Sequence, residues 1–379
     1  PTASLSTTLD TICSGSNTGI QLNGTPGSTT FNWSRNNTTN ITGANIATGT
    51  GSPISVGLTN TTLTDQTTTF TITPVFSTCP GTSFTTDVVV RPVPTVTVTP
   101  NPPNPSSICD LGTTNIVFND SPNSISGTLF SWTRNNTTSV TGTNTNSNAS
   151  SPITVSLDNT TNLAQPVVFT ITPFITITTP ATQCSGTTTT ASITVQPEPT
   201  VTITSSQNPV CDSSQTNIVF NSNPQNVTGT TFNWTRSTPA GLTGTTNGTV
   251  NAGPLQITLN NTTLNTIIPV TFTITPEING CTGTPKNTTF DVLPTPTGQV
   301  SSVPVITTCS GIKDTLIILN AQPANVANTL FSWTRSGTGV IGLPSVTSGN
   351  TFVIDSLVNS TSATITVTYT ITPIVGGCS

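Results

Sequence analysis

Short apolar runs alternate with threonine, serine and asparagine along the whole chain, and the same runs return four times. Phe70-Thr-Ile-Thr-Pro74, Phe169-Thr-Ile-Thr-Pro173, Phe272-Thr-Ile-Thr-Pro276 and Tyr369-Thr-Ile-Thr-Pro373 each put an aromatic and an aliphatic residue two positions apart. That is the period of a strand with one buried face. Phe31, Trp33 and Arg35 share a face by the same rule, as do their counterparts around Trp132/Arg134, Trp234/Arg236 and Trp333/Arg335. Asn115-Ile-Val-Phe118, Asn217-Ile-Val-Phe220 and Leu316-Ile-Ile-Leu319 form a second family of strands, and Asp87-Val-Val-Val90 exemplifies a third. The Phe-Thr-Ile-Thr-Pro strand and the strand after it read as a closing hairpin. Short strands separated by turns, about seven to a repeat, predict an all-β chain of antiparallel sandwiches.

A repeat of about a hundred residues matches one small domain and is too long for a solenoid turn. Four modules follow, 1–93, 94–198, 199–295 and 296–379, arranged as a rod. Their joints are Pro92-Val93-Pro94, Pro197-Glu198-Pro199 and Pro294-Thr295-Pro296, each beginning thirteen residues after a cysteine. Two prolines with fixed φ stiffen a joint where glycine and serine would let it swing. The fourth module stops at Ser379, one residue after Cys378, so it lacks the last strand. The expectation is that the chain continues; the alternative is that a neighbour supplies the strand. With Pro1 first and neither an initiator methionine nor a signal peptide, the sequence reads as an excised or processed piece.

Composition narrows the function. Of 379 residues only 5% are charged, the net charge is −5, and histidine and methionine are absent. Thirty-one prolines and abundant threonine disfavour helix. At 32% hydrophobic, in periodic runs, the chain carries enough apolar surface for modest cores. No basic stripe exists to hold nucleic acid. No run of eighteen apolar residues would insert in a membrane as a helix. With no histidine and carboxylates scattered singly, nothing resembles a general acid, base or nucleophile, and no enzyme is expected. No Asp-x-Asp suggests calcium, and no metal or cofactor is expected.

Eight cysteines, two per repeat, imply an oxidising, extracellular compartment. The spacings Cys13/Cys79, Cys109/Cys184, Cys211/Cys281 and Cys309/Cys378 are 66, 75, 70 and 69 residues. They predict a disulfide inside each module, clamping an early loop to the last hairpin. On the loop-entropy argument such a bridge would stabilise its module by about 4 kcal/mol. Pairing across a joint, Cys79 with Cys109, is the alternative. The cysteines do not sit where an immunoglobulin domain has its inter-sheet pair, on the strand before the tryptophan strand and within a late strand. Trp33, Trp132, Trp234 and Trp333 are expected in the cores with the arginines capping their strands; the competing reading is a glycan-stacking pair.

Taken together, Thr11-Ile-Cys-Ser-Gly15, Phe-x-Trp-Thr-Arg, Leu-x-Asn-Thr-Thr, Phe-Thr-Ile-Thr-Pro and Asn279-Gly-Cys-Thr-Gly283 resemble the PKD-like repeats of giant cell-surface proteins of gliding and related Bacteroidota. The resemblance runs through all four repeats. It implies type IX secretion and a stalk or adhesin at the cell surface, in some cases one that carries gliding motility. It transfers no binding site. Asp10-Thr11-Ile12, Asp314-Thr315-Leu316 and Asp355-Ser356-Leu357 resemble the O-glycosylation triplets of that phylum, which marks Thr11, Thr315 and Ser356 as possible acceptors. The expected function is a stiff spacer for adhesion or gliding, with further copies of the repeat as partners and surface glycans as a possible ligand. The alternatives are a stalk presenting a carbohydrate-binding or catalytic domain elsewhere in the chain, and a pilus-like subunit completed by strand donation.

Overall fold

The computed structural model describes residues 1–7, 11–44, 46–49, 52–178, 181–223, 225–300, 307–311, 315–321, 326, 329–341, 351–354 and 357–379. Every regular element among them is a β-strand. Backbone contacts gather the chain into two compact units, Pro1–Pro197 and Glu198–Ser379. Each unit carries two modules.

Module one shows the plan. Thr30–Arg35, Gln66–Phe76 and Phe84–Arg91 lie side by side and antiparallel, with Trp33 opposite Ile72. The alternation holds along Gln66–Phe76, where Thr68, Phe70, Ile72 and Pro74 point inward. The opposing layer is built of shorter pieces. Thr2–Thr7 pairs with Gln21–Thr25, Ile20 bridges Ile54, and Ile41–Thr42 pairs with Thr59–Asn60. Between the layers lie Ile20, Leu22, Ile41, Leu58, Phe70, Ile72, Val88 and Val90. Modules two and three repeat the plan, with Trp132 opposite Ile171 and Trp234 opposite Ile274.

One pairing breaks the antiparallel rule. In modules one to three the first cysteine does not sit in a free loop. Thr11–Cys13 runs parallel to Phe84–Arg91, with Cys13 opposite Arg91. Ser107–Ile108 pairs in the same way with Thr189–Val195, and Val210–Cys211 with Lys286–Leu293. In these three modules the first cysteine region is therefore tied to the end of the last strand, next to the Pro-x-Pro joint.

Module four has the same register where it is complete, with Trp333 opposite Ile371. Among the described residues its Thr368–Ile374 strand pairs only with Leu330–Ser336. Phe70, Phe169 and Phe272 are fully enclosed in the first three modules, whereas their counterpart Tyr369 is half-buried.

Candidate functional site at the module joints

Three side chains recur at matching places and hold the loops of the first three modules. The arginine of Trp-x-Arg is buried and donates to loop carbonyls. Arg236 Nε reaches Thr245 O at 2.9 Å, Nη1 reaches Ser237 O at 2.8 Å and Nη2 reaches Gly244 O at 2.8 Å. Arg35 and Arg134 repeat this on Ala44 and Gly43, and on Thr143 and Gly142. Burial lowers the pKa of all three arginines from the ordinary value, but arginine starts so high that each stays charged.

The asparagine of Leu-x-Asn-Thr-Thr ties a loop to the last strand. Asn159 Nδ2 donates to Leu163 O at 2.8 Å and Val195 O at 2.9 Å, while Oδ1 accepts from the Thr161 amide and hydroxyl. Asn60 and Asn261 make the same four bonds, reaching Val90 O and Val292 O. The residue after each first cysteine accepts from this asparagine's own amide: Ser14, Asp110, Asp212 and Ser310. Burial raises the pKa of Asp110; the bond from Asn159 opposes this, and nearby Asp158 adds to it. A third device is a buried threonine: Thr18, Thr114 and Thr216 each donate across to the bridging strand and accept an amide from it. The asparagine and threonine roles escaped sequence reasoning, although the threonine lies five residues after the first cysteine in each of the first three modules and the asparagine 47, 50 and 50 residues after it.

The second cysteine sits on a hairpin, at its tip in modules one, three and four and three pairs short of the tip in module two. Ile278-Asn279-Gly280-Cys281 turns with positive φ at both central residues, 48° and 81°. That is the type I′ turn that Asn-Gly favours. Cys281 faces Ile278 across the hairpin, as Cys79 faces Phe76, Cys184 faces Ile175 and Cys378 faces Val375. The glycine two residues beyond the cysteine packs on the module's entry. A Cβ on Gly186 would overlap Pro94 O, and one on Gly283 would overlap Pro199 O. The second cysteine thus lies at the entry end of its module and the first at the exit end.

This geometry corrects the predicted disulfides. Val90, one residue before the Cys13 level, faces Gln66, and Cys79 faces Phe76. The 11-residue strand Gln66–Phe76 separates them. At about 3.3 Å per residue that is about 33 Å, whereas bridged Cα atoms lie within about 7 Å. A bridge inside a module is excluded. Instead Cys13 of module one bonds Cys184 of module two, with Cα atoms 5.3 Å apart. Cys211 of module three bonds Cys378 of module four, at 5.5 Å. Cys109 and Cys281 are also disulfide-bonded. Cys79 and Cys309 are free and exposed. Cys79 does not bond Cys109, so the alternative falls too.

Each staple has further contacts. In the first unit Arg91 donates from Nη1 to Thr176 O of module two at 2.7 Å and pairs through Nε with Asp65 at 3.2 Å. Cys184 and Ile175 are buried beside the bond. In the second unit Leu293, Val326, Val375 and Cys378 form an apolar cluster with Cys211 against it. The prolines of Pro92-Val-Pro94 and Pro294-Thr-Pro296 are buried.

Trp132 and Trp234 are 3% exposed and touch Phe169 and Phe272, so they have no face to offer a glycan. Trp33 and Trp333 are half-buried. Thr11 lies half-buried on its strand, and Thr315 begins the strand Thr315–Ala321. Ser356, Asp10 and Asp314 lie outside the described residues. Among the described residues no cluster of metal-ligating side chains occurs, and no helix is long and apolar enough to cross a membrane.

The family described as PKD-like domain matches residues 10–94, 106–199, 208–296 and 306–379. A comparison with curated proteins returned no match. Among solved structures, the I67–I69 I-band fragment of titin covers 77% of this chain and 98% of its own, at 6% identity and a TM-score of 0.38. The FN1–FN3 domains of chicken CNTN1 cover 76% and 97%, at 11% identity and 0.31. The protocadherin gammaB7 EC3-6 cis-dimer structure covers 98% and 100%, at 11% identity and 0.24.

Proposed function

We propose that this chain, which belongs to the PKD-like domain family, is a segment of a secreted bacterial cell-surface filament or adhesin stalk. It holds something at a distance from the cell and bears tension while doing so. The observation that carries this reading is the position of the disulfides. Cys13–Cys184 and Cys211–Cys378 span joints between consecutive modules. A bond there adds nothing to a binding cleft and does not cross a core. It fixes how two modules meet, with a buried Pro-x-Pro as the other half of the hinge. Such bonds persist in oxidising surroundings, which supports an extracellular location. The repeats' resemblance to surface proteins of gliding Bacteroidota supports export by the type IX route and a part in adhesion or gliding. Contacts with surface glycans, on this reading, belong to loops and not to the tryptophans.

Single-molecule stretching with and without a reductant tests the mechanical role. Reduction should lengthen the stretched chain through added module-unfolding steps, because each intact staple keeps the residues between its cysteines, separated by 171 and 167 positions, out of the load path. An unchanged extension would remove the tension-bearing reading. Protease shaving of intact source cells tests the location, and protection of the chain would reject a surface position.

A further inference from the structure

The two stapled joints share one contact and build it from different chemistry. In each, the residue opposite the first cysteine reaches the hairpin of the next module. It meets that hairpin one residue beyond the position that faces the second cysteine. In the second unit the two residues are Leu293, opposite Cys211, and Gly376, next to Val375. A Cβ on Gly376 would come within 2.6 Å of Leu293 Cδ1, so the contact is close and apolar. In the first unit the same places hold Arg91, opposite Cys13, and Thr176, next to Ile175. There the contact is a charged hydrogen bond, 2.7 Å from Arg91 Nη1 to Thr176 O.

Two departures from the repeat meet in that bond. Arginine stands where module three has leucine, and the module two hairpin runs three pairs beyond Cys184, beginning with Thr176 opposite Gln183. A third group completes the arrangement. Asp65 of module one lies 3.2 Å from Arg91 Nε, with the two side chains 48% and 28% exposed. Among the described residues that Nε makes no hydrogen bond, so charge holds the carboxylate beside it. The carboxylate at the other joint, Asp212 next to Cys211, accepts instead from the Thr295 hydroxyl at 2.9 Å and the Asn261 amide at 2.7 Å.

We infer that Arg91 is an ionic latch. It closes the joint between modules one and two on the Thr176 carbonyl, and it makes the Cys13–Cys184 staple weaken as ionic strength rises, while the Cys211–Cys378 staple does not. The ground is linkage. Contacts made in the closed joint and lost when it swings open favour the closed staple by their own free energy. Salt screens partly exposed charges and does not weaken an apolar contact. Opening a staple consumes two low-molecular-weight thiols. One thiolate attacks a staple sulfur and forms a mixed disulfide, and a second thiolate displaces the protein from it. The staple takes up two electrons and two protons, and the two small thiols leave as one disulfide. The latch rests on the joint contacts and the spacer reading on where the staples lie, so either can fail alone.

The test is the closing equilibrium of both staples in glutathione buffers. It is read on the unsubstituted chain by acid quenching, alkylation and peptide mass mapping. Sodium chloride is raised from about 0.01 M to about 1 M, which shortens the screening length from about 30 Å to about 3 Å. The closing constant of Cys13–Cys184 should fall about two- to fivefold, the scale of one partly exposed ion pair. That of Cys211–Cys378 should not fall. R91L should abolish the fall and R91K should keep it, which separates the charge from the packing of the side chain. Equal falls at both staples, no fall at the first, or a fall that survives R91L would each overturn the inference. The comparison of two staples within one chain needs no variant, so it decides even where a substituted chain does not fold.

Discussion

Asn159 makes four hydrogen bonds with one side chain in a buried position, and that determines what its loss does. Alanine would leave the carbonyl of Val195 and the amide of Thr161 without their partner. Asn159→Ala should destabilise module two by about 2–4 kcal/mol, since each buried polar group left unpaired costs about 1–3 kcal/mol. Asn359→Ala should cost less. Asn359 is half-buried, and its Nδ2 is bonded to Ala363 O, with no bond to a last-strand carbonyl among those described. Chemical denaturation of both variants checks the ranking, and equal losses would refute it. The tryptophans divide in the same way. Trp132→Ala and Trp234→Ala should cost about 3–5 kcal/mol each, and Trp33→Ala less, because Trp33 is already half-exposed.

Asp110 supplies a pH dependence. Its native pKa is raised, chiefly by burial, so the native state holds the proton more tightly than the unfolded chain does. The stability this contributes is present below the unfolded value of 3.8 and is lost as pH rises through the native pKa. Asp110→Asn keeps an acceptor for the Asn159 amide and has no proton to lose. The variant should therefore gain stability relative to the parent as pH rises from acid to neutral. Melting curves across that range check it, and a constant difference would show that Asp110 does not titrate differently on folding.

At the scale of elements, the strands and their faces were legible and the staples were not. Trp33, Trp132, Trp234 and Trp333 oppose the isoleucine of Thr-Ile-Thr-Pro in one register. A period of two fixed that face from the sequence, because a one-residue slip would have turned every apolar side chain outward. The cysteines carry no such period. Two per repeat at near-constant spacing suit a bond within a module and a bond to the next module equally well. The deciding facts are non-local: the first cysteine strand lies parallel to the last strand, and a long strand separates the two ends. Part of this was written in the chain, since Asn279-Gly280 signals a tight hairpin that holds Cys281 at its tip. The buried Thr114 and Asn159 were hidden among the many exposed threonines and asparagines around them. Gly186→Ala tests the entry contact, because its methyl would overlap Pro94 O. The expected loss is about 1–3 kcal/mol, the usual cost of overpacking. The same change at Gly27, where a Cβ meets nothing and φ is not positive, controls for backbone effects. A Gly186 variant as stable as the parent would mean that the hairpin does not rest on the joint.

For the whole molecule, the open edge of module four gives the sharpest test. In modules one to three the Phe-Thr-Ile-Thr-Pro strand is flanked on both sides, by the tryptophan strand and by the last strand. Ile72, Ile171 and Ile274 are fully buried there, whereas Ile371 is only half-buried. The module therefore exposes apolar surface and a row of backbone donors and acceptors, both of which cost stability. Its amides along Thr368–Ile374 should exchange faster than those along Ile268–Ile278. Appending a strand patterned on residues 283–294 should restore protection, because it brings both a partner for the edge and a carbonyl for Asn359. Hydrogen exchange on the two chains, each verified as a monomer, decides the matter. Equal protection with and without the added strand would mean that the fourth sandwich is complete in another way.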